Sequence, residues 1–290
     1  MHHNGGMTDA NVPVSDLLRL PPGPVDLTTI DPRSTPGFDG GKSAGAKALA
    51  GLGDEVAQLQ ERLYAEARGA NGVGRSVLLV IQGMDTAGKG GIMRHCVGLL
   101  DPQGVQITAF KAPTKTELKH DFLWRIAKHV PAAGMIGIFD RSHYEDVLIA
   151  RVRELASKDE IERRYGAIND FELDLVGKGV RVITCMLHIS RDEQGDRLRD
   201  RLEDPTKYWK FNPGDIDERA RWDDYRAAYE VALERCNTEA SPFYVIPADR
   251  KWYARWAVTS ILHEQLRGMD PQYPAADFDV EEQKARLARI

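Results

Sequence analysis

Gly83-Met84-Asp85-Thr86-Ala87-Gly88-Lys89-Gly90-Gly91 stands between a short apolar run and a helical pattern, and its spacing satisfies GxxxxGK. Gly83, Gly88 and Gly90 permit positive φ, so that successive backbone N–H groups, Ala87 among them, curl around phosphate oxygens. The helix that follows adds its positive N-terminal end, and Lys89 adds a point charge. A lysine just inside such a helix opposes the dipole unless an anion is there, which argues against an empty glycine turn. The loop departs from the usual pattern once: Gly90 stands where a Ser or Thr hydroxyl would ligate magnesium. Asp85 is the candidate replacement, because a carboxylate among phosphates makes sense only if a divalent cation bridges them.

A second acidic group closes an apolar run, at Phe139-Asp140-Arg141-Ser142-His143-Tyr144-Glu145-Asp146. An Asp at the carboxyl tip of a buried strand sits at the ligand edge of an open α/β sheet. Strand followed by Asp is also the pattern that holds magnesium directly or through water. Alone, such an Asp as readily caps the next helix; beside the glycine loop, Asp140 reads as the second metal ligand. Arg141 suits the spreading of charge on a transferring phosphoryl group. His143 reads as orienting the turn, with a phosphohistidine intermediate as the minor rival.

Basic groups flank these loops. Lys111 and Lys115 follow the second strand and point to contact with a polyanion, whereas Lys119 reads as solvated. Arg191–Arg221 is the lid candidate: Arg197 and Arg201 share a helical face, Lys207 and Lys210 occupy a Pro-flanked loop, and Leu198 and Leu202 supply the packing face. Few apolar positions imply weak anchoring and easy movement. Closure over phosphates would exclude water and strengthen each charge contact. The alternative is an ordinary charged hairpin. Tyr208, Trp209 and Phe211 either stack on a base or pin the hinge. Trp252, Tyr253 and Trp256 follow helical spacing and read as core.

The elements that must position these groups alternate. Apolar runs predict strands at Ser76–Ile81, Val105–Phe110, Met135–Phe139, Val180–His188 and Phe243–Ile246. Helical periodicity predicts helices at Ala44–Arg68, Lys89–Leu100, Thr114–His129 (with Thr114 and Glu117 spaced as a capping box), Tyr144–Val152, Lys158–Lys178, Arg191–Leu202, Ile216–Cys236 and Trp252–Arg267. Such alternation demands crossover connections, hence a three-layer α/β domain on a parallel five-stranded sheet. Residues 1–43, rich in Pro, Gly, Asp and Ser, read as an extended arm; 44–273 form the domain, with the lid at about 191–221, and 274–290 a tail.

Thirty-nine Lys+Arg against forty-four Asp+Glu in 290 residues give a net charge of −5. That speaks against a general nucleic-acid binder while leaving room for a local basic channel. No run reaches the ~18 apolar residues of a membrane helix, and no apolar signal segment opens the chain. Three widely spaced cysteines, with no CxxC pair, fit a reducing cytoplasm.

Taken in order, GMDTAGKGG, FKAPT, HDFLWR, FDRSHYEDVL and RLEDPTKYWKF resemble the family 2 polyphosphate kinases, over about Ala44 to Tyr273. The HYEDVL and WKF wording is most similar to the subgroup that phosphorylates both nucleoside mono- and diphosphates. The resemblance implies a thymidylate-kinase-like P-loop kinase core, a mobile lid, dependence on magnesium (or manganese) and a homo-oligomer, dimer or tetramer. It implies reversible transfer between inorganic polyphosphate and AMP or ADP. Asp85 and Asp140 would hold the metal, Lys89 and Arg141 the phosphates in transfer, and Glu145 would lie near the acceptor nucleotide. The match around Lys111 is looser. The rivals are an ATP-dependent nucleoside monophosphate kinase and a non-catalytic nucleotide-binding protein.

Overall fold

The computed structural model describes residues 12–69, 72 and 74–290. Its strands are β1 (Ser76–Gly83), β2 (Val105–Ala109), β3 (Ile136–Asp140), β4 (Val180–His188) and β5 (Phe243–Pro247). They form one parallel sheet in the order β2-β3-β1-β4-β5. Every residue of β1 is buried, as a continuous apolar run at the centre of a sheet covered on both faces requires. Val77, Leu79 and Ile81 join one core cluster, and Leu78 and Val80 the other. The period of two thus divides a single strand between two cores, each such side chain contributing about 1.5–3 kcal/mol.

The helices are α1 (Val14–Leu18), α2 (Lys42–Glu66), α3 (Lys89–His95), α4 (Leu123–Ala127), α5 (Ile149–Val152), α6 (Lys158–Gly177), α7 (Arg191–Glu203), α8 (Gly214–Ala220), α9 (Trp222–Cys236), α10 (Lys251–Met269) and α11 (Val280–Leu287). Helices α2, α3 and α10 cover one face of the sheet, and α5, α6 and α9 the other. Trp252, Tyr253 and Trp256 pack in the core as expected. They also receive the arm: the Phe38 ring lies 5.4 Å from Trp252 and 4.7 Å from Trp256.

The described part of the arm lies on the core. Glu264 of α10 accepts from the first N–H groups of α1, Val14 (2.8 Å) and Ser15 (2.9 Å). Leu20 N–H then donates to Phe243 O at 2.8 Å, and Arg19 bridges Tyr244 antiparallel, so the chain runs along the outer side of β5. Residues 1–11 of the expected arm lie outside the described residues.

Four expected helices are corrected: Lys89–Leu100 ends at His95 and passes through Cys96 into a 3-10 turn at Val97–Leu99, and three others divide. Thr114–His129 is not continuous. The capping box forms, with Thr114 N–H on Glu117 Oε2 (2.7 Å) and Glu117 N–H on Thr114 Oγ1 (3.3 Å), yet it opens only a 3-10 turn at Glu117–Lys119. His120 turns extended, and Asp121 Oδ1 caps a fresh turn through Leu123 N–H at 3.0 Å. A short side chain has outcompeted the helix for the backbone. Leu118, expected in the buried stripe, is 68% exposed. The segment after Tyr144 divides into a 3-10 turn, His143–Asp146, and α5. Ile216–Cys236 breaks at Arg221, between α8 and α9.

Candidate active site

Strand order places the two key loops side by side. Strand β1 pairs with β3 so that Ile81 lies opposite Asp140, and both chains leave the sheet at its carboxyl edge. Gly83 has φ 154°, and a Cβ there would meet Leu187 O at 3.0 Å; Gly88 has φ 118°. The loop therefore needs glycine at both positions. Thr86 and Arg141 also adopt positive φ, at 61° and 62°, local strain of the kind held in place only where the surroundings fix it.

The carboxylates and cations form one set. Arg141 Nη2 lies 2.9 Å from Asp85 Oδ1, and its Nη1 3.8 Å from Glu145 Oε2. Lys89 Nζ donates to Gly83 O (2.5 Å) and Met84 O (3.2 Å), folding back under the loop. Burial, with Arg141 close by, pushes its pKa down. Burial also raises the Glu145 carboxyl. With its amide turned to satisfy both ends, buried Gln82 donates to Glu145 Oε1 (3.0 Å) and accepts from Ser142 Oγ (2.9 Å).

Two cavities open here. The larger, about 750 Å³, is lined by Asp85, Ala87, Gly88, Lys89, Gly90, Asp140 and Arg141, and from α7 and the turn after it by Arg201, Lys207 and Lys210. The smaller, about 220 Å³, is lined by Gly83, Glu145, Trp222, Tyr225 and Tyr229, with Asn212 and Glu218. They share Asp85, Arg141 and Asp215. Lys111 and Lys115 are exposed and stand outside both linings.

Arg197 was expected to face the polyanion. It lines the larger cavity, but its side chain is only 4% exposed and is spent on backbone carbonyls and Glu193. Leu198 is buried as expected, whereas Leu202 is 49% exposed. The start of α7 is anchored by polar contacts: Gln194 Nε2 donates to Asp85 O at 3.1 Å. His143 is fully buried, and Glu172 Oε1 accepts from His143 Nε2 (3.0 Å) and Tyr144 OH (2.9 Å). It orients the turn from inside the core, where no phosphate reaches.

Sequence reasoning missed Arg94, His95, Lys251 and Arg255, which complete the basic wall of the larger cavity. Burial lowers the pKa of Arg255, and Arg197 and Arg94 lower it further. The readable signal was the basic i,i+4 pair Lys251 and Arg255, directly after the fifth strand's carboxyl tip.

Two carboxylates offer themselves to a cation. Among the described residues no group of three or more His, Cys, Asp or Glu side chains could hold a metal on its own. Asp85 and Asp140 line one cavity, which fits magnesium: it keeps waters and takes one or two carboxylates together with substrate phosphates.

A phosphate loop on the central strand, beside a carboxylate on the neighbouring one, is the arrangement of the P-loop kinase fold. The chain belongs to the polyphosphate kinase 2 family, whose sequence profile matches residues 42–274. It is 44% identical over 254 residues to the AMP/ADP-polyphosphate phosphotransferase of Meiothermus ruber, covering 88% of this chain and 93% of that one. It is 41% identical over 233 residues to the ADP-polyphosphate phosphotransferase of Rhodopseudomonas palustris, covering 76% and 78%. The crystal structure of polyphosphate kinase 2 from Arthrobacter aurescens superposes with a TM-score of 0.94 at 52% identity, covering 98% and 99%.

Proposed function

We propose that this chain transfers phosphoryl groups reversibly between inorganic polyphosphate and a nucleotide, AMP or ADP. The carrying observation is that a large basic cavity and a smaller aromatic and acidic one meet at Asp85 and Arg141. A basic channel suits a polyanionic chain, and Trp222, Tyr225 and Tyr229 offer ring faces and hydroxyls to a nucleoside. The names of the Meiothermus and Rhodopseudomonas relatives support both substrates.

In this reading the acceptor phosphate oxygen attacks the terminal phosphorus of polyphosphate in line, the bond to the bridging oxygen breaks, and the chain one phosphate shorter leaves with that oxygen. Asp85 and Asp140 would hold magnesium, or manganese, which when bound neutralises charge on the phosphoryl oxygens. The loop N–H groups cradle the phosphate in transfer. Lys89 and Arg141 balance its charge, and Arg201, Lys207 and Lys210 close the donor side. A nucleotide phosphate needs no general base, so none is assigned. The three cysteines, all buried free thiols, support a reducing cytoplasm as the setting, and no described helix is long and apolar enough to cross a membrane.

The test is a donor-acceptor matrix: protein, magnesium and long-chain polyphosphate with AMP, ADP, GMP or GDP, in the absence of ATP. ADP from AMP, or ATP from ADP, is expected. Product only when ATP replaces polyphosphate would make the chain a nucleoside monophosphate kinase. Saturable nucleotide binding without turnover would make it a non-catalytic binder.

A further inference from the structure

The geometry points to Arg197 as the positioning residue that sets the shape of the phosphate loop, with no free donor left for the polyanion; this rests on the phosphotransferase reading above. A guanidinium carries five N–H donors in a fixed fork. Here Nε meets Glu193 Oε1 at 2.8 Å. Nη1 meets Thr86 O (2.9 Å) and Ala87 O (3.0 Å). Nη2 meets Ala248 O (2.6 Å) and Asp249 O (3.0 Å).

The carbonyls come from two loops at the same sheet edge, and holding them fixes what the loops present. A trans peptide is planar, so a carbonyl drawn toward Arg197 turns the next amide the opposite way. Ala87 N–H closes the turn on Met84 O at 3.1 Å. The Ala87 carbonyl on Arg197 turns Gly88 N–H away from the guanidinium. The Gly88 φ of 118° and Thr86 φ of 61° are held against this fork. Lysine could not substitute, because one ammonium on a flexible stem cannot reach both loops in the plane of the fork.

The same fork anchors the lid. Asp249 accepts from Ser190 N–H and Ser190 Oγ, both at 2.8 Å, at the N-cap of α7. Loop, β5 turn and lid root are therefore one rigid unit.

The test compares Arg197→Lys with the wild type in three readouts: kcat, KM for short and long polyphosphate, and the slope of log Kd for polyphosphate against log salt. We expect kcat to fall at least tenfold, by the same factor for both chain lengths, with the salt slope unchanged. Lysine keeps the charge, so the slope is also read on Arg197→Gln, where an arginine that contacted the polyanion would lower it by about 0.7–0.9, as for other linear polyanions. A kcat within twofold of wild type, or a reduced slope, would overturn the assignment. Should Arg197→Lys lose its cooperative melt, Glu193→Gln is read in the same way. It disturbs one prong, a two- to tenfold fall in kcat with an unchanged slope is expected, and wild-type kcat overturns the clamp. An inactive wild type would instead sink the functional reading on which the clamp depends.

Discussion

Arg141 Nη2 lies 2.9 Å from Asp85 Oδ1, tying the tip of β3 to the phosphate loop on β1. The pair sits where the two cavities join, so in the proposed reaction a phosphoryl group crossing from one to the other would meet this contact. Arg141 balances the carboxylate as it stands. In the proposed reaction Asp85 would help hold the cation and Arg141 would balance charge on the phosphate.

Asp85→Asn is expected to lower kcat by about 100-fold or more, the scale for losing an electrostatic contact in the transition state. Both partners are partly exposed, so the pair is worth only ~1 kcal/mol or less, and the fold should survive. Turnover assays beside urea unfolding check this. Retained activity would remove Asp85 from the cation site.

Lys89→Met should abolish turnover and yet raise the melting temperature at neutral pH. Burial depresses the Lys89 pKa in the folded chain, so its charge is harder to carry folded than unfolded. That cost is full below the depressed value and fades as pH rises to the ordinary 10.5. Calorimetry across neutral and alkaline pH should show the gain of the variant shrinking as pH rises. A gain growing with pH would refute it.

Arg201→Ala is expected to cut activity more with long polyphosphate than with short. Arg201 Nη1 donates to Lys210 O (2.9 Å) and Asp215 Oδ2 (3.2 Å), which holds the Lys207–Lys210 segment over the larger cavity. Kinetics with chains of defined length decide. Equal losses would move Arg201 to the nucleotide side.

Phe38→Ala should cost about 2–3 kcal/mol in urea unfolding, since the ring is partly buried between Trp252 and Trp256. The site is distant, so kcat should stay near wild type. An unchanged midpoint would mean that the arm adds nothing to the core.

Strands read from the sequence well because a run such as SVLLVI, buried on both faces, has no helical alternative of comparable length. That Asp85, Lys89, Asp140 and Arg141 line one cavity was legible for a related reason: their spacing follows from local turns, and strand pairing does the rest. Thr114–His129 was not, since Asp121 could cap a new turn as easily as ride within a helix. Arg197 was assigned to the wrong neighbours for a deeper reason. One-dimensional spacing shows that an arginine shares a helix face, but not that four carbonyls from two distant loops await it. Lys251 and Arg255 were hidden beneath an aromatic pattern that truly is core, since one helix serves the core on one side and the cavity on the other.

The arm's run along β5 leaves the sheet with two unequal rims. Arg19 and Leu20 occupy the β5 rim, while among the described residues nothing pairs with the outer side of β2, where Ile107 stands 57% exposed. Unpaired rims are templates for strand addition by other chains. Removal of the residues before Val25 would bare the second rim and let self-association propagate from both sides; with Arg19 and Leu20 in place a single rim is left for growth.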